Sequence, residues 1–157
     1  MAKTTSKKIL WIDDDINDAR LMPYADEFEG QGFTIVGVDN PDDIEETLSL
    51  NKNNFLCIIV DMAMPFGNKL NYGETKGGLL TGLTVLKELV ENVKLNGVKK
   101  VVFTITDDSE VKVYCKKQQI PYFQKQKYST SELVEQIRKI TTNQPVKQKS
   151  NGRKKKV

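Results

Sequence analysis

Between residues 55 and 65 the chain reads FLCIIVDMAMP, and this stretch constrains the fold more than any other. Phe55, Leu56, Cys57, Ile58, Ile59 and Val60 form an unbroken apolar run, and a single carboxylate, Asp61, follows it. A short continuous run rich in β-branched residues fits a strand buried on both faces, the kind found inside parallel sheets. The charge then sits where the strand leaves the core, at its carboxyl end, which is the edge where open α/β sheets bind ligands. Two other strand-like runs end the same way. KILWI stops at Asp13, Asp14 and Asp15, and VVFTI stops at Thr106 followed by Asp107. Parallel strands bring these polar groups to one rim.

The rest of the chain alternates accordingly. Residues 8–12 read as the first strand, and 17–29 carry Leu21, Met22, Ala25 and Phe28 at helical spacing, with Pro23 early in the pattern and Gly30 and Gly32 closing it. Residues 33–38 form the second strand, and Asn40-Pro41 opens a helix to about Leu50. After the central strand comes FGNKLNYGETKGG, a polar, glycine-rich stretch without visible periodicity and longer than most connections in compact domains. Helical spacing resumes at Leu79, Leu83, Leu86, Leu89, Val90 and Val93, with Asn96-Gly97 as the stop. The fourth strand covers 101–105, Asp107 and Asp108 cap a short helix, and the fifth strand covers 121–124 and meets Lys125. Ser129 and Glu132 form a capping-box pattern ahead of Leu133, Val134, Ile137 and Ile140. Five strands alternating with five helices imply right-handed crossovers and a parallel sheet covered on both faces, an α/β fold.

Charge and residue usage narrow the chemistry. The 157 residues contain no histidine, so any histidine chemistry must come from a partner. Cys57 and Cys115 show no metal-ligand spacing and are expected to be reduced thiols. KILWI is too short for a signal-peptide core, no apolar run approaches the roughly 20 residues that span a bilayer, and a cytoplasmic location is expected. The net charge is +3, but six of the 24 basic residues lie in 146–157, which has no acid; the remainder carries 18 basic against 21 acidic residues. A domain over 1–142 with a basic, disordered tail over 143–157 is expected. The tail's lysines could neutralise nucleic-acid phosphates, but it has no interleaved aromatics, and a solvated or partner-docking tail is the better reading.

Three acids at the rim, Asp13, Asp14 and Asp61, oppose one another's ionisation, a cost that a divalent cation removes; magnesium suits such an all-oxygen site. With an ion in place one carboxylate can attack phosphorus, while a lysine and a hydroxyl complete the shell around a phosphoryl group; Lys125 and Thr106 stand at the strand ends to do so.

The series ILWIDDD, IIVDMAMP, FTITD and YFQKQK, spread over residues 7–140, resembles the receiver domain of two-component response regulators. The resemblance implies a flavodoxin-like, doubly wound five-stranded sheet with strand order 2-1-3-4-5. It implies a stand-alone phosphoacceptor that catalyses its own phosphorylation without being a classified enzyme. By similarity Asp61 takes the phosphoryl group from a sensor histidine kinase or a histidine phosphotransfer protein. Asp13, Asp14, Asp61 and the backbone carbonyl of Ala63 hold Mg2+; Thr106 and Lys125 contact the phosphoryl group; and Thr106 with Tyr122 forms the switch that changes binding of a downstream effector. Thr104, two residues earlier, is the alternative hydroxyl if the register differs. The chain departs from the family at Asp107, where a small residue is usual, at Gln126, where proline is usual, and in an insertion of about a dozen residues over 66–78. Two other readings stay open: a degenerate receiver acting only as an interaction module, and a phosphatase in which Asp13 and Asp15 form the DxD of the haloacid dehalogenases. In the latter family the acidic pair follows the lysine, whereas Asp107-Asp108 precede Lys125, and Asp61 is left without a task.

Overall fold

A computed structural model describes residues 6–142; the basic segment 143–157 lies outside the described residues. Five strands, β1 (Lys8–Ile12), β2 (Thr34–Val38), β3 (Cys57–Val60), β4 (Lys99–Thr104) and β5 (Tyr122–Gln124), form one sheet. Every pairing is parallel and the order is β2-β1-β3-β4-β5, the doubly wound arrangement. The helices are α1 (Met22–Gly30), α2 (Ile44–Leu50), α3 (Tyr72–Thr75), α4 (Thr81–Glu91), α5 (Ser109–Gln118) and α6 (Thr130–Thr141). No helix among the described residues is long and apolar enough to cross a membrane.

Strand side chains alternate between faces, and here both faces are buried. Leu10, Ile12, Ile58, Val60 and Val102 pack with Ile44 and Leu48 of α2, with Leu83, Leu86 and Leu89 of α4, and with Val111 of α5. Ile9, Trp11, Ile59, Val101, Phe103 and Phe123 pack with Phe28 of α1 and with Leu133 and Ile137 of α6. Trp11 is the hub of that second face. Its ring meets Phe28 and Phe103 edge-on at 5.9 and 6.0 Å, and truncating either phenylalanine would cost about 3–5 kcal/mol.

Local chemistry sets the element ends. Pro23 occupies the first turn of α1, so the helix starts at Met22 rather than near residue 17. Asn40 caps a 3-10 turn over Pro41–Asp43 that leads into α2, Asp108 caps α5 by accepting from Glu110 and Val111 N–H groups, and the Ser129/Glu132 capping box opens α6. Leu79 lies ahead of α4 and is 66% exposed, so it is not part of that helix's buried stripe.

Residues 66–78 are folded, contrary to their sequence appearance. Its neck is closed where Met64 N–H donates to the Gly78 carbonyl at 3.0 Å and Thr81 Oγ1 donates to the Met64 carbonyl at 2.5 Å. Within the excursion Asn71 caps α3 through the Glu74 N–H at 2.7 Å. The helix then stops at left-handed Lys76 and positive-φ Gly77 and Gly78. The outer limb is anchored by the Asp42 carboxylate, which accepts the backbone N–H groups of Asn68 and Lys69 at 2.8 and 3.0 Å. Lys76 pairs with Glu110 in the first turn of α5 at 3.1 Å. Closing the neck leaves the end of β3 and the start of α4 where a short loop would leave them.

Candidate functional site

The carboxyl ends of β1, β3, β4 and β5 meet at one point. Asp61 N–H donates to the Ile12 carbonyl at 2.9 Å and Asp13 N–H to the Val38 carbonyl at 3.0 Å, which extends the ladders one residue past their strands and fixes both acids. Asp13 is fully buried and Asp61 is 4% exposed. Lys125 follows β5 directly and joins the two acids: its Nζ lies 2.8 Å from Asp13 Oδ2 and 3.3 Å from Asp61 Oδ2. The remaining oxygens are also engaged, Asp13 Oδ1 accepting the Asp15 N–H at 2.9 Å and Asp61 Oδ1 the Met62 N–H at 2.8 Å.

The electrostatics follow from this crowding. Burial, and then the charge of Asp61, pushes the Asp13 carboxyl up to about 6 against the pull of Lys125. Burial draws the Lys125 ammonium down, but Asp61 and Asp13 together hold it above the ordinary lysine value. Burial and then Asp15 and Asp13 raise Asp14, which faces solvent. One cation on two buried acids leaves the site short of positive charge. Asp13, Asp14 and Asp15 each offer one oxygen, all within 4.8 Å of one another. Such a hard, all-oxygen donor set fits a divalent cation such as Mg2+. Asp61 reaches this cluster through the ammonium that it shares with Asp13.

Gly82, the second residue of α4, sets how close that helix comes. Its N–H donates to the Met62 carbonyl at 2.8 Å, and a Cβ added there would lie 1.7 Å from the Asp61 carbonyl oxygen. Only glycine permits this approach.

The hydroxyl beside Asp61 belongs to Thr104 and not to Thr106. Parallel register pairs Val60 with Val102 and Thr104 with Gln124, so β4 ends at Thr104, level with the turn after Asp61. Thr104 is fully buried; its Oγ1 lies 3.4 Å from Met62 N and accepts the Thr106 N–H at 3.2 Å. Thr106 has already left the sheet, and its carbonyl accepts the Tyr122 hydroxyl. The residue directly after the site hydroxyl is therefore Ile105, 64% exposed. Asp107 adds no charge at the centre, because its carboxylate is paired with Lys112 on α5. Strand parity could not separate the two, because Thr104 and Thr106 both share the parity of Val102; the register of β4 with β3 and β5 selects the earlier threonine.

Neither a family model nor a curated protein matches the sequence. Solved structures do match. The chain is similar to the BeF3-activated N-terminal receiver domain of Klebsiella pneumoniae RstA (18% identity, TM-score 0.61, covering 83% of this chain and 95% of that one). It is similar to the signal receiver domain of a putative Luxo repressor protein from Vibrio parahaemolyticus (15% identity, TM-score 0.66, 88% and 92% covered). A signal receiver domain of a response regulator from Bermanella marisrubri matches at 22% identity with a TM-score of 0.60, covering 85% and 97%. These likenesses establish the receiver-domain fold for the chain.

Proposed function

We propose that this chain, which carries the receiver-domain fold, is a phosphoacceptor switch that takes a phosphoryl group on Asp61 from a partner's phosphohistidine. The observation that carries the reading is the Asp13–Lys125–Asp61 junction. It holds two buried carboxylates on one ammonium at the carboxyl rim of the sheet, with a buried hydroxyl, Thr104, one strand away. The chain has no histidine, so the donor is another protein, a sensor kinase or a phosphotransfer protein.

In the transfer an Asp61 carboxylate oxygen attacks the donor's phosphorus. The P–O bond forms as the P–N bond breaks, and the electron pair leaves with the imidazole nitrogen. Lys125 moves its ammonium from the carboxylates to a phosphoryl oxygen, Thr104 donates its hydroxyl to another, and the Met62 N–H stays aimed at the acceptor residue. Asp13 and Asp14, with Asp61 and the Ala63 carbonyl, would hold Mg2+, which when bound neutralises charge on the phosphoryl oxygens. Recruitment of Thr104 tightens the β4–α5 connection on which Thr106 holds Tyr122, so the surface formed by α5, β5 and α6 changes for a downstream effector.

The test is the intact mass of the protein after incubation with acetyl phosphate, with and without Mg2+. A magnesium-dependent phosphoryl adduct on the wild type, absent from Asp61→Asn, is expected. An adduct that survives in Asp61→Asn overturns the assignment.

A further inference from the structure

A second feature lies away from the rim, between α2 and α4. A groove of about 630 Å³ separates these helices, and the insertion closes its upper end with Lys69 and Leu70. Its floor is apolar, made by Ile44, Leu48, Val85 and Leu89. Its rim is acidic. Glu45 and Glu88 line it, and burial, then Glu74, Glu91 and Glu45, push the Glu88 carboxyl up, the mark of acids crowded together. Two cations share the rim, Lys69, already 4.0 Å from Glu45, and Lys94. The apolar floor and the cluster of acids around Glu88 together fit a cationic peptide segment.

The chain supplies one. Residues 147–156 contain Lys147, Lys149, Arg153, Lys154, Lys155 and Lys156 and no acid. The route to the groove is short. Ile140, in the last turn of α6, and Val90, in the last turn of α4, border the same 540 Å³ cavity at the amino-terminal edge of the sheet. Thr142, the last described residue, lies two positions after Ile140, and across that cavity Glu91 follows Val90 and Asn92 lines the groove. The 11 residues from Thr142 to Arg153 can extend up to about 36 Å, more than twice the roughly 16 Å length of the 11-residue α4. The intervening cavity is itself lined by Lys99 and Lys100 and does not attract the segment electrostatically. We infer that the α2–α4 groove binds the basic segment 147–156 of the same chain, with its lysines on Glu45, Glu88 and Glu91.

Zero-length carbodiimide cross-linking of the full chain tests this, using an equal mixture of unlabelled and 15N-labelled protein read by peptide mass spectrometry. Cross-links from Lys154, Lys155 or Lys156 to Glu45, Glu88 or Glu91 within single chains are expected. They should fall about fivefold or more at about 0.5 M NaCl, where screening reaches a few ångström. Glu45→Lys/Glu88→Lys should abolish them, Lys154→Glu/Lys155→Glu/Lys156→Glu should do the same, and combining the two sets should restore linkage between the segment and the groove. Circular dichroism of each variant reports whether it folds, and the segment variant leaves the described fold untouched. Equal yields to exposed Asp26 and Glu29 of α1 would overturn the inference. So would links found only between light and heavy chains, which would place a second copy's segment in the groove.

Discussion

Thr104 and Lys125 are the positions at which a single side chain decides what the rim can do. Thr104 Oγ1 is buried against Met62 N, whereas Thr106 offers the site only its backbone. A hydrogen bond to a charged group contributes about 1.5–3 kcal/mol, so Thr104→Val should weaken binding of the phosphoryl mimic beryllofluoride about tenfold or more. Thr106→Val should change it by less than about twofold, and titration followed by Trp11 fluorescence measures both. Equal effects would remove Thr104 from the site. Lys125→Met leaves Asp13 and Asp61 buried without their shared cation, and breaking such a pair costs about 3–5 kcal/mol. Thermal melts should show the variant destabilised without metal, and Mg2+ should raise its Tm more than it raises that of the wild type. The acids and Lys125 were legible in the sequence because Asp13 and Asp61 directly follow apolar runs and Lys125 closes the short strand-like stretch Tyr122–Gln124. The hydroxyl was not, because FTIT offers two threonines on the same strand face and only the register with β3 and β5 tells which is level with Asp61.

Residues 66–78 and α4 show how elements hold the rim in place. Polar, glycine-rich composition made residues 66–78 look structureless, since their order comes from partners far away in sequence. The Asp42 carboxylate holds Asn68 and Lys69, and the Met64–Gly78 bond shuts the neck. Such contacts leave no periodic trace. Asp42→Ala should cost about 1–2 kcal/mol and expose the Lys69 peptide bond to trypsin, with faster amide exchange confined to residues 66–71. Undiminished protection there would mean that Asp42 is not the anchor. Gly82 is the tighter constraint. Gly82→Ala puts a methyl group into the Asp61 carbonyl, and the resulting shift of α4 or of the β3 turn should cost about 3 kcal/mol, roughly 10 °C in Tm. Strand and helix types were readable from periods of two and 3.6, and the parallel sheet followed from the alternation, whereas the strand order came only with the family resemblance. Ends were less readable, as at α1, where Pro23 belongs to the first turn and Leu21 precedes the helix.

Taken whole, the described residues form a sheet buried on both faces, with the buried carboxylates Asp13 and Asp61 gathered at one rim. Cys57 and Cys115 lie inside that body, and burial pushes both thiols up to about 12. Native protein should therefore resist iodoacetamide and take up two adducts only after denaturation, as intact mass would show. The central claim is that this architecture presents Asp61, and no other acid, to a phosphoryl donor. Its most direct test is chemical trapping: phosphorylate with acetyl phosphate and Mg2+, reduce with sodium borohydride, which converts an aspartyl phosphate to homoserine, and sequence the peptides by mass spectrometry. Homoserine at position 61 alone is the expected result. Homoserine at position 13, or none at 61 in protein that carries the adduct, would contradict it.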